Sequence, residues 1–425
     1  MDTVLYTSSE AIRGQNYLLA SYYIKLPRKI DILKKAATLA VGQTIGTWIP
    51  IPGITDQIRE KYMGKVVNVF DVPSLDLVTQ EAEEMQEYII QIAYPAINFG
   101  SDFPLMLTSL LGNDASTSAQ VKLLDIELPE EFAGQFCGPR FGTAGVRRLT
   151  GIEKRPLLLN MIKPCTGLTP AEGAEIFYET ALGGVDLIKD DELLGNPAYS
   201  RPEERVCEFQ KAARAAYEET GHKVRYFVNV TSGAGEIIDN VKRVEEAGAD
   251  GLMINFAAVG YSVLKLAAEV TSLPILGHAA GSGMLYEGMN NGMSSPLAVG
   301  KLARLAGADI VMINTPYGGY PLRHQKYIQT VAQLNLPCYN IKAAMPSVGG
   351  GVHPGMVETY IRELGTDIVL AAGGSVQGHP DGACAGARAM RQAIDTVMAG
   401  GRVQEAAEDK PELAKALALW KCKEE

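Results

Sequence analysis

A lysine followed by three acids, Lys189-Asp190-Asp191-Glu192, ends the apolar run Gly183-Gly184-Val185-Asp186-Leu187-Ile188. Carboxylates packed at the end of a strand are costly to desolvate unless something cationic sits among them. Side chains alternate along a strand, so Lys189 and Asp191 share one side, and Glu192, where strand gives way to loop, can turn in beside them. Two carboxylates suit a water-rich Mg²⁺ site. A neutral Lys189 amine between acids can in addition take up CO₂ and become a third anionic oxygen ligand. The competing reading is a solvated charge run after a strand, and the rest of the chain decides between them.

The elements that must hold this cluster can be read from a repeat. Glycine, a small or apolar residue, aspartate and then apolar residues occur as Gly184-Val185-Asp186-Leu187, Gly248-Ala249-Asp250-Gly251-Leu252, Gly307-Ala308-Asp309-Ile310 and Gly365-Thr366-Asp367-Ile368. The interval is roughly 60 residues, about two βα units. Each copy closes an amphipathic helix with glycine and opens a strand. Further strands are expected between the copies at Tyr226 to Val230, Pro274 to Gly277 and Pro337 to Ile341, with Leu157 to Ile162 ahead of the first. Eight strands alternating with helices predict an α/β fold, a (β/α)8 TIM barrel over residues 146–425 with a helical tail. A doubly wound open sheet is the rival, and the four-fold regularity favours the barrel.

Residues 1–145 read differently. After a polar lead-in to about residue 15, strands are expected at Tyr17 to Leu26, Val66 to Val72, Tyr88 to Tyr94 and Val121 to Leu128, with helices at Ile30 to Val41 and Leu105 to Leu111. That order is ferredoxin-like, an N-terminal α+β domain. Pro139 to Arg155, rich in glycine and arginine, reads as a connector.

Active sites of barrels lie at the strand C-terminal ends. There the sequence places Lys163, then Lys189, Asp191 and Glu192, then Asn229, Asn255, His278 and Asn314 with the turn Pro316 to Gly319, and last Gly349-Gly350-Gly351 and Gly373-Gly374. The asparagines can serve loop backbone and His278 can be structural, but two lysines and a carboxylate cluster on one rim favour the metal reading. Glycine runs by themselves mark tight turns. After the seventh and eighth strands they become a candidate phosphate cradle of bare N–H groups.

Composition sets outer limits. The chain has 425 residues, 47% hydrophobic and 21% charged, with a net charge of −10 and six cysteines without CxxC spacing. No nucleic-acid or membrane partner is expected, nor a disulfide framework or zinc site, and a reducing cytoplasm fits.

In order along nearly the whole chain, Gly46-Thr47-Trp48, Gly112-Asn113, Ile162-Lys163-Pro164, the Gly-Gly-x-Asp-x-x-Lys-Asp-Asp-Glu stretch and Gly378-His379-Pro380-x-Gly382 resemble the RuBisCO large-subunit superfamily. The resemblance implies Mg²⁺ held by Asp191, Glu192 and a Lys189 carbamylated by CO₂, with Lys163 as an acid/base. It implies one phosphate held by Gly351, Gly373, Gly374, Thr47 and Trp48, and a homodimer in which Thr47, Trp48 and Asn113 of one subunit complete the barrel site of the other. His278 is a second acid/base candidate or a ligand of a substrate hydroxyl.

The departures are as informative. Cys165 replaces the second lysine of the family's Lys-Pro-Lys, Gly319 the loop lysine that orients CO₂, and Gly42 the acid that pairs with it. Ala279, Met312 and Gly349 replace the arginine, histidine and serine of the second phosphate site. Ribulose bisphosphate carboxylation is therefore not expected, and the chain resembles a RuBisCO-like protein (form IV) acting on a phosphorylated small molecule with one phosphate.

Decarboxylation of a 3-oxo sugar acid phosphate is the first expectation, because it needs only the metal and a proton donor such as Lys163. The alternative is the 2,3-diketo-5-methylthiopentyl-1-phosphate enolase of methionine salvage. Gly42-x-Thr44-Ile45-Gly46 and Pro316-Tyr317-Gly318 resemble that branch, although it carries a lysine base at the position of Asn113. Methylthioribulose phosphate isomerisation is a third reading. Outside metal-dependent enolisation stand a Schiff-base aldolase and a non-catalytic, stress-related phosphate-binding dimer.

Overall fold

The computed structural model describes residues 2, 4–47, 49, 51–74 and 84–420. Two compact units divide them: Met1–Phe136 with Gly281–Ala298 and Tyr339–Ile341, and Cys137–Ala280 with Val299–Cys338 and Lys342–Glu425.

The first unit carries a four-stranded antiparallel sheet in the order β2-β3-β1-β4, with β1 at Tyr17–Pro27, β2 at Lys65–Val72, β3 at Met85–Pro95 and β4 at Lys122–Glu127. Burial alternates along β1, where Leu18, Ala20, Tyr22 and Ile24 face the core. Helices Ile32–Gly42 and Phe103–Leu111 start at Asp31 and Asp102, whose carboxylates accept the N–H groups of Lys34 and Leu105. This is the expected ferredoxin-like order, with one more helix, Asp56–Tyr62, between the first helix and β2. The lead-in differs from expectation. Leu5 is buried, Tyr6 forms a parallel bridge to Val66, and Ser9–Ile12 is a short helix capped by Ser8, so hydrogen bonding to β2 orders residues read as a polar tail.

The second unit is a closed barrel of eight parallel strands: β5 Leu157–Met161, β6 Leu187–Lys189, β7 Arg225–Asn229, β8 Gly251–Asn255, β9 Ile275–His278, β10 Ile310–Asn314, β11 Met345–Gly349 and β12 Val369–Ala371. Alternate residues fill it, among them Leu157, Leu159, Leu187, Phe227, Met253, Leu276, Ile310, Met345 and Val369.

All four repeat glycines, Gly184, Gly248, Gly307 and Gly365, have positive φ, which glycine alone adopts without strain. Three of the aspartates then reach back to a preceding strand. Asp186 accepts the Leu158 N–H at 2.8 Å, Asp250 that of Tyr226 at 3.0 Å and Asp309 that of Ile275 at 2.9 Å. They fasten strand register at the end of the barrel opposite the candidate site.

Two further expectations need correction. Strand seven is Met345–Gly349 and not Pro337 to Ile341, where Tyr339 has a positive φ and the chain turns. The β-branched and aromatic side chains at 337–341 imitate a strand, whereas Pro346 and Ser347 disguise the true one. The supposed connector holds a helix, Gly142–Thr150, whose Val146 joins the barrel core and whose Arg147 binds Asp367 and the Thr366 carbonyl.

Candidate active site

The end of β6 turns its residues alternately, as a strand must. Lys189 points into the barrel and is wholly buried. Its Nζ donates to the Asp190 carbonyl at 2.9 Å and lies 3.8 Å from Glu192 Oε2. Lys163, just past β5, places Nζ 2.6 Å from Asp191 Oδ2 and 3.0 Å from Cys165 Sγ. His278 closes β9 with Nε2 3.6 Å from Glu192 Oε2. Lys163 with Asp191, and Glu192 with Lys189 and His278, thus stand at the strand ends of the barrel mouth.

Burial and charge set their protonation. Burial lowers the pKa of Lys189 below the ordinary lysine value, against the pull of Glu192, Asp191 and Asp190. Burial alone would do the same to Lys163, but hydrogen bonds with Asp191 and Cys165 prevail and raise it. Asp191 is likewise held below the usual carboxylate range by Lys163 and the Leu193 N–H in spite of burial. His278 is pushed well below the ordinary histidine value by burial and by Lys189. Its Nδ1 accepts the Ala280 N–H at 3.1 Å, which leaves the ring proton on Nε2, toward Glu192.

This donor set fits Mg²⁺ with one addition. Among the described residues no three His, Cys, Asp or Glu side chains converge as a metal cage. Asp191 and Glu192 give two hard oxygen donors, and Lys189 beside them is an amine that burial biases toward the neutral form. Such an amine can accept CO₂, and a carbamate oxygen would supply the third anionic donor.

The glycine loops meet on the same unit. Gly350 and Gly351, after β11, have positive φ, and Gly373-Gly374 follow β12. Ser375 Oγ donates to the Val352 carbonyl at 2.6 Å and joins the two loops. The N–H groups of Gly350, Gly351, Gly373 and Gly374 enter no hydrogen bond among the described residues. A Cβ on Gly374 would meet nothing within 4 Å, so there is open room beside that residue.

Gly349, where the resemblance puts a phosphate-binding serine, has no free room for a side chain. A Cβ on Gly349 would lie 2.5 Å from Met312 Cε, so the methionine methyl occupies the room a side chain there would need. Met312 Sδ accepts from Ser347 Oγ at 3.4 Å. Across the mouth, Met161 Sδ lies 3.0 Å from a Cβ placed on Gly373.

Thr47 and Asn113 belong to the other compact unit. Thr47 Oγ1 accepts the Ile49 N–H at 3.1 Å, and exposed Asn113 heads the π-helical turn Asp114–Ala119. Trp48 lies outside the described residues. A Cβ on Gly42 would fall 1.8 Å from Asp114 Oδ2, so Asp114 puts its carboxylate into the space that glycine leaves. Sequence reasoning did not find Asp114, nor the Arg205 and Tyr226 that bind Asp190. Only the alternation of Asp190 away from Lys189 and Asp191 hinted at the latter pair.

The comparisons with known proteins match the fold of both units. Residues 6–132 match the ribulose bisphosphate carboxylase large chain N-terminal domain, and residues 142–420 match its catalytic domain. A ribulose bisphosphate carboxylase-like protein of Archaeoglobus fulgidus is 44% identical over 92% of this chain and 90% of its own length. A 2,3-diketo-5-methylthiopentyl-1-phosphate enolase of Geobacillus kaustophilus is 38% identical over 95% of this chain and 98% of its own length. The crystal structure of a rubisco-like protein (MtnW) from Alicyclobacillus acidocaldarius superimposes with a TM-score of 0.88 at 35% identity, covering 95% of this chain and all of that one (100%). With both domains matched in order and a RuBisCO-like relative nearly half identical across them, the chain belongs to the ribulose bisphosphate carboxylase large-chain family, among its RuBisCO-like proteins.

Proposed function

We propose that this protein enolises a phosphorylated 2,3-dicarbonyl compound with a single phosphate and an apolar tail, the chemistry for which its Geobacillus kaustophilus relative is named. The observation that carries the reading is the Met312 methyl in the space over Gly349. A second phosphate dianion there would meet a thioether, which offers no hydrogen-bond donor to offset its desolvation. An apolar or methylthio end meets Met312 at no such cost.

Each residue then has a task. The glycine N–H groups orient the one phosphate. Asp191, Glu192 and a carbamylated Lys189 would hold a divalent cation, which when bound would supply positive charge to stabilise an enolate oxygen. Lys163 carries or receives a proton at Nζ, and Asp191 fixes where that nitrogen sits. His278, neutral, donates from Nε2 to a substrate oxygen. The loop lysine that would steer CO₂ is Gly319, so carboxylation of ribulose bisphosphate is not expected.

A second reading, decarboxylation of a 3-oxo sugar acid phosphate, is favoured by the state of Lys163. Its ammonium is held protonated by Asp191 and Cys165, which suits proton delivery to an enolate better than proton removal. Asn113, where the resemblance gives the enolase branch a lysine base, cannot take up a proton.

The two are separated by incubating the purified protein with bicarbonate and Mg²⁺. Enol appearance from the diketone is followed by ultraviolet absorbance, and CO₂ release from the oxo acid by a coupled assay. Enolisation that falls by about 10²-fold or more in Lys163→Met supports the first reading. CO₂ release without enolisation replaces it with the second, and neither activity overturns both.

A further inference from the structure

Asp190, the acid of the cluster that faces away from the site, is bound more completely than its neighbours. Its Oδ2 receives Arg205 Nε at 3.1 Å, Arg205 Nη2 at 3.0 Å and the Asn229 N–H at 2.8 Å, and its Oδ1 receives the Tyr226 hydroxyl at 2.6 Å. Asp190 and Arg205 are each 1% exposed. The same guanidinium donates to the carbonyls of Leu194 at 3.3 Å, Gly195 at 2.8 Å and Asn229 at 3.2 Å, and to that of Ser200.

Arg205 therefore joins three pieces of chain: the motif itself, the loop from Leu194 to Ser200 that follows Glu192, and the end of β7. A Cβ on Gly195 would lie 2.6 Å from the Thr231 carbonyl oxygen, so that loop is drawn close against the β7 side. Glu192 is itself tied there, because Asn229 Nδ2 and Asn255 Nδ2 donate to its carbonyl at 3.3 and 2.8 Å. A buried ion pair adds little stability over well-packed apolar side chains of equal volume. What apolar groups cannot reproduce is a planar fork of donors that sets direction on every side.

We propose that Arg205 with Asp190 is the positioning pair of the cation site, fixing the backbone of residues 190 to 195 so that the Asp191 and Glu192 carboxylates stay convergent. The inference rests on the reading that these two acids hold a divalent cation. Arg205 touches neither cation nor substrate; it acts through the segment it grips.

The test uses Mn²⁺ alone as the probe, titrated by electron paramagnetic resonance after bicarbonate treatment of the full chain. Arg205→Lys and the uncharged pair Asp190→Asn/Arg205→Gln are compared with wild type, and Asp309→Asn serves as a control that loosens the far end of the barrel. Folding is checked by circular dichroism, and if the double variant does not fold, Arg205→Lys carries the comparison. Both Arg205 variants are expected to bind Mn²⁺ about 10- to 100-fold more weakly. Asp309→Asn is expected to lower Tm while keeping Mn²⁺ affinity within about twofold. Folded Arg205 variants with wild-type Mn²⁺ affinity overturn the proposal. A wild type that binds no Mn²⁺ overturns instead the cation reading beneath it.

Discussion

His278 illustrates how one side chain's surroundings become a measurable property. Its ordinary value is 6.5, and burial depresses it in the fold. As pH falls through about 6.5 the unfolded chain takes up a proton that the folded chain refuses, so the unfolded state gains. Stability present above that pH should decline between the ordinary value and the depressed one. In thermal melts from about pH 7 to pH 5, His278→Gln should lose less Tm than wild type, and equal slopes would show that His278 titrates freely in the fold. At this scale the sequence was readable where chemistry is written in adjacent residues. Lys189, Asp191 and Glu192 stand together in the motif; strand alternation gave the shared side of Lys189 and Asp191, and the change from strand to loop let Glu192 turn in beside them. Arg205 was not readable, because its partner lies in a different element and no periodicity joins the two.

Elements show the same division. The repeat of glycine and aspartate was legible because positive φ and strand-end capping each demand a narrow set of residues. Strand β11 was not, since burial on both faces of a parallel barrel lets Met345-Pro346-Ser347 pass as a strand that propensity disfavors. The fasteners can be tested alone. Asp309 accepts from Phe141, Gly142 and Ile275 at 2.6, 2.8 and 2.9 Å. Asp309→Ala strands these donors, each worth about 1–3 kcal/mol if left unmet, so several kcal/mol of unfolding free energy should disappear in denaturant titration. At the other end of the barrel, Gly349→Ser should displace the Met312 methyl. Affinity for a methylthio-tailed monophosphate is expected to drop by about 10-fold or more, the cost of roughly one lost apolar contact plus repacking. Calorimetry that finds unchanged affinity would remove Met312 from the tail site.

For the whole molecule, the resemblance implies that one copy is not enough, because it has Thr47 and Asn113 of one subunit completing the barrel site of the other. Light scattering should give a mass of at least twice the 45.7 kDa chain, and a stable monomer with full activity would refute the shared site. No described helix is long and apolar enough to cross a membrane. The aspartate fasteners have one more implication. Because register is secured at the floor of the barrel, by side chains remote from the mouth, the loops above can change without loosening the strands that carry them. A lineage could exchange lysine for Cys165, or a phosphate ligand for Met312, and keep a folded protein while trying a new substrate. On this view, grafting a relative's β10 and β11 loops onto this chain should change which ligand binds before it changes the melting temperature.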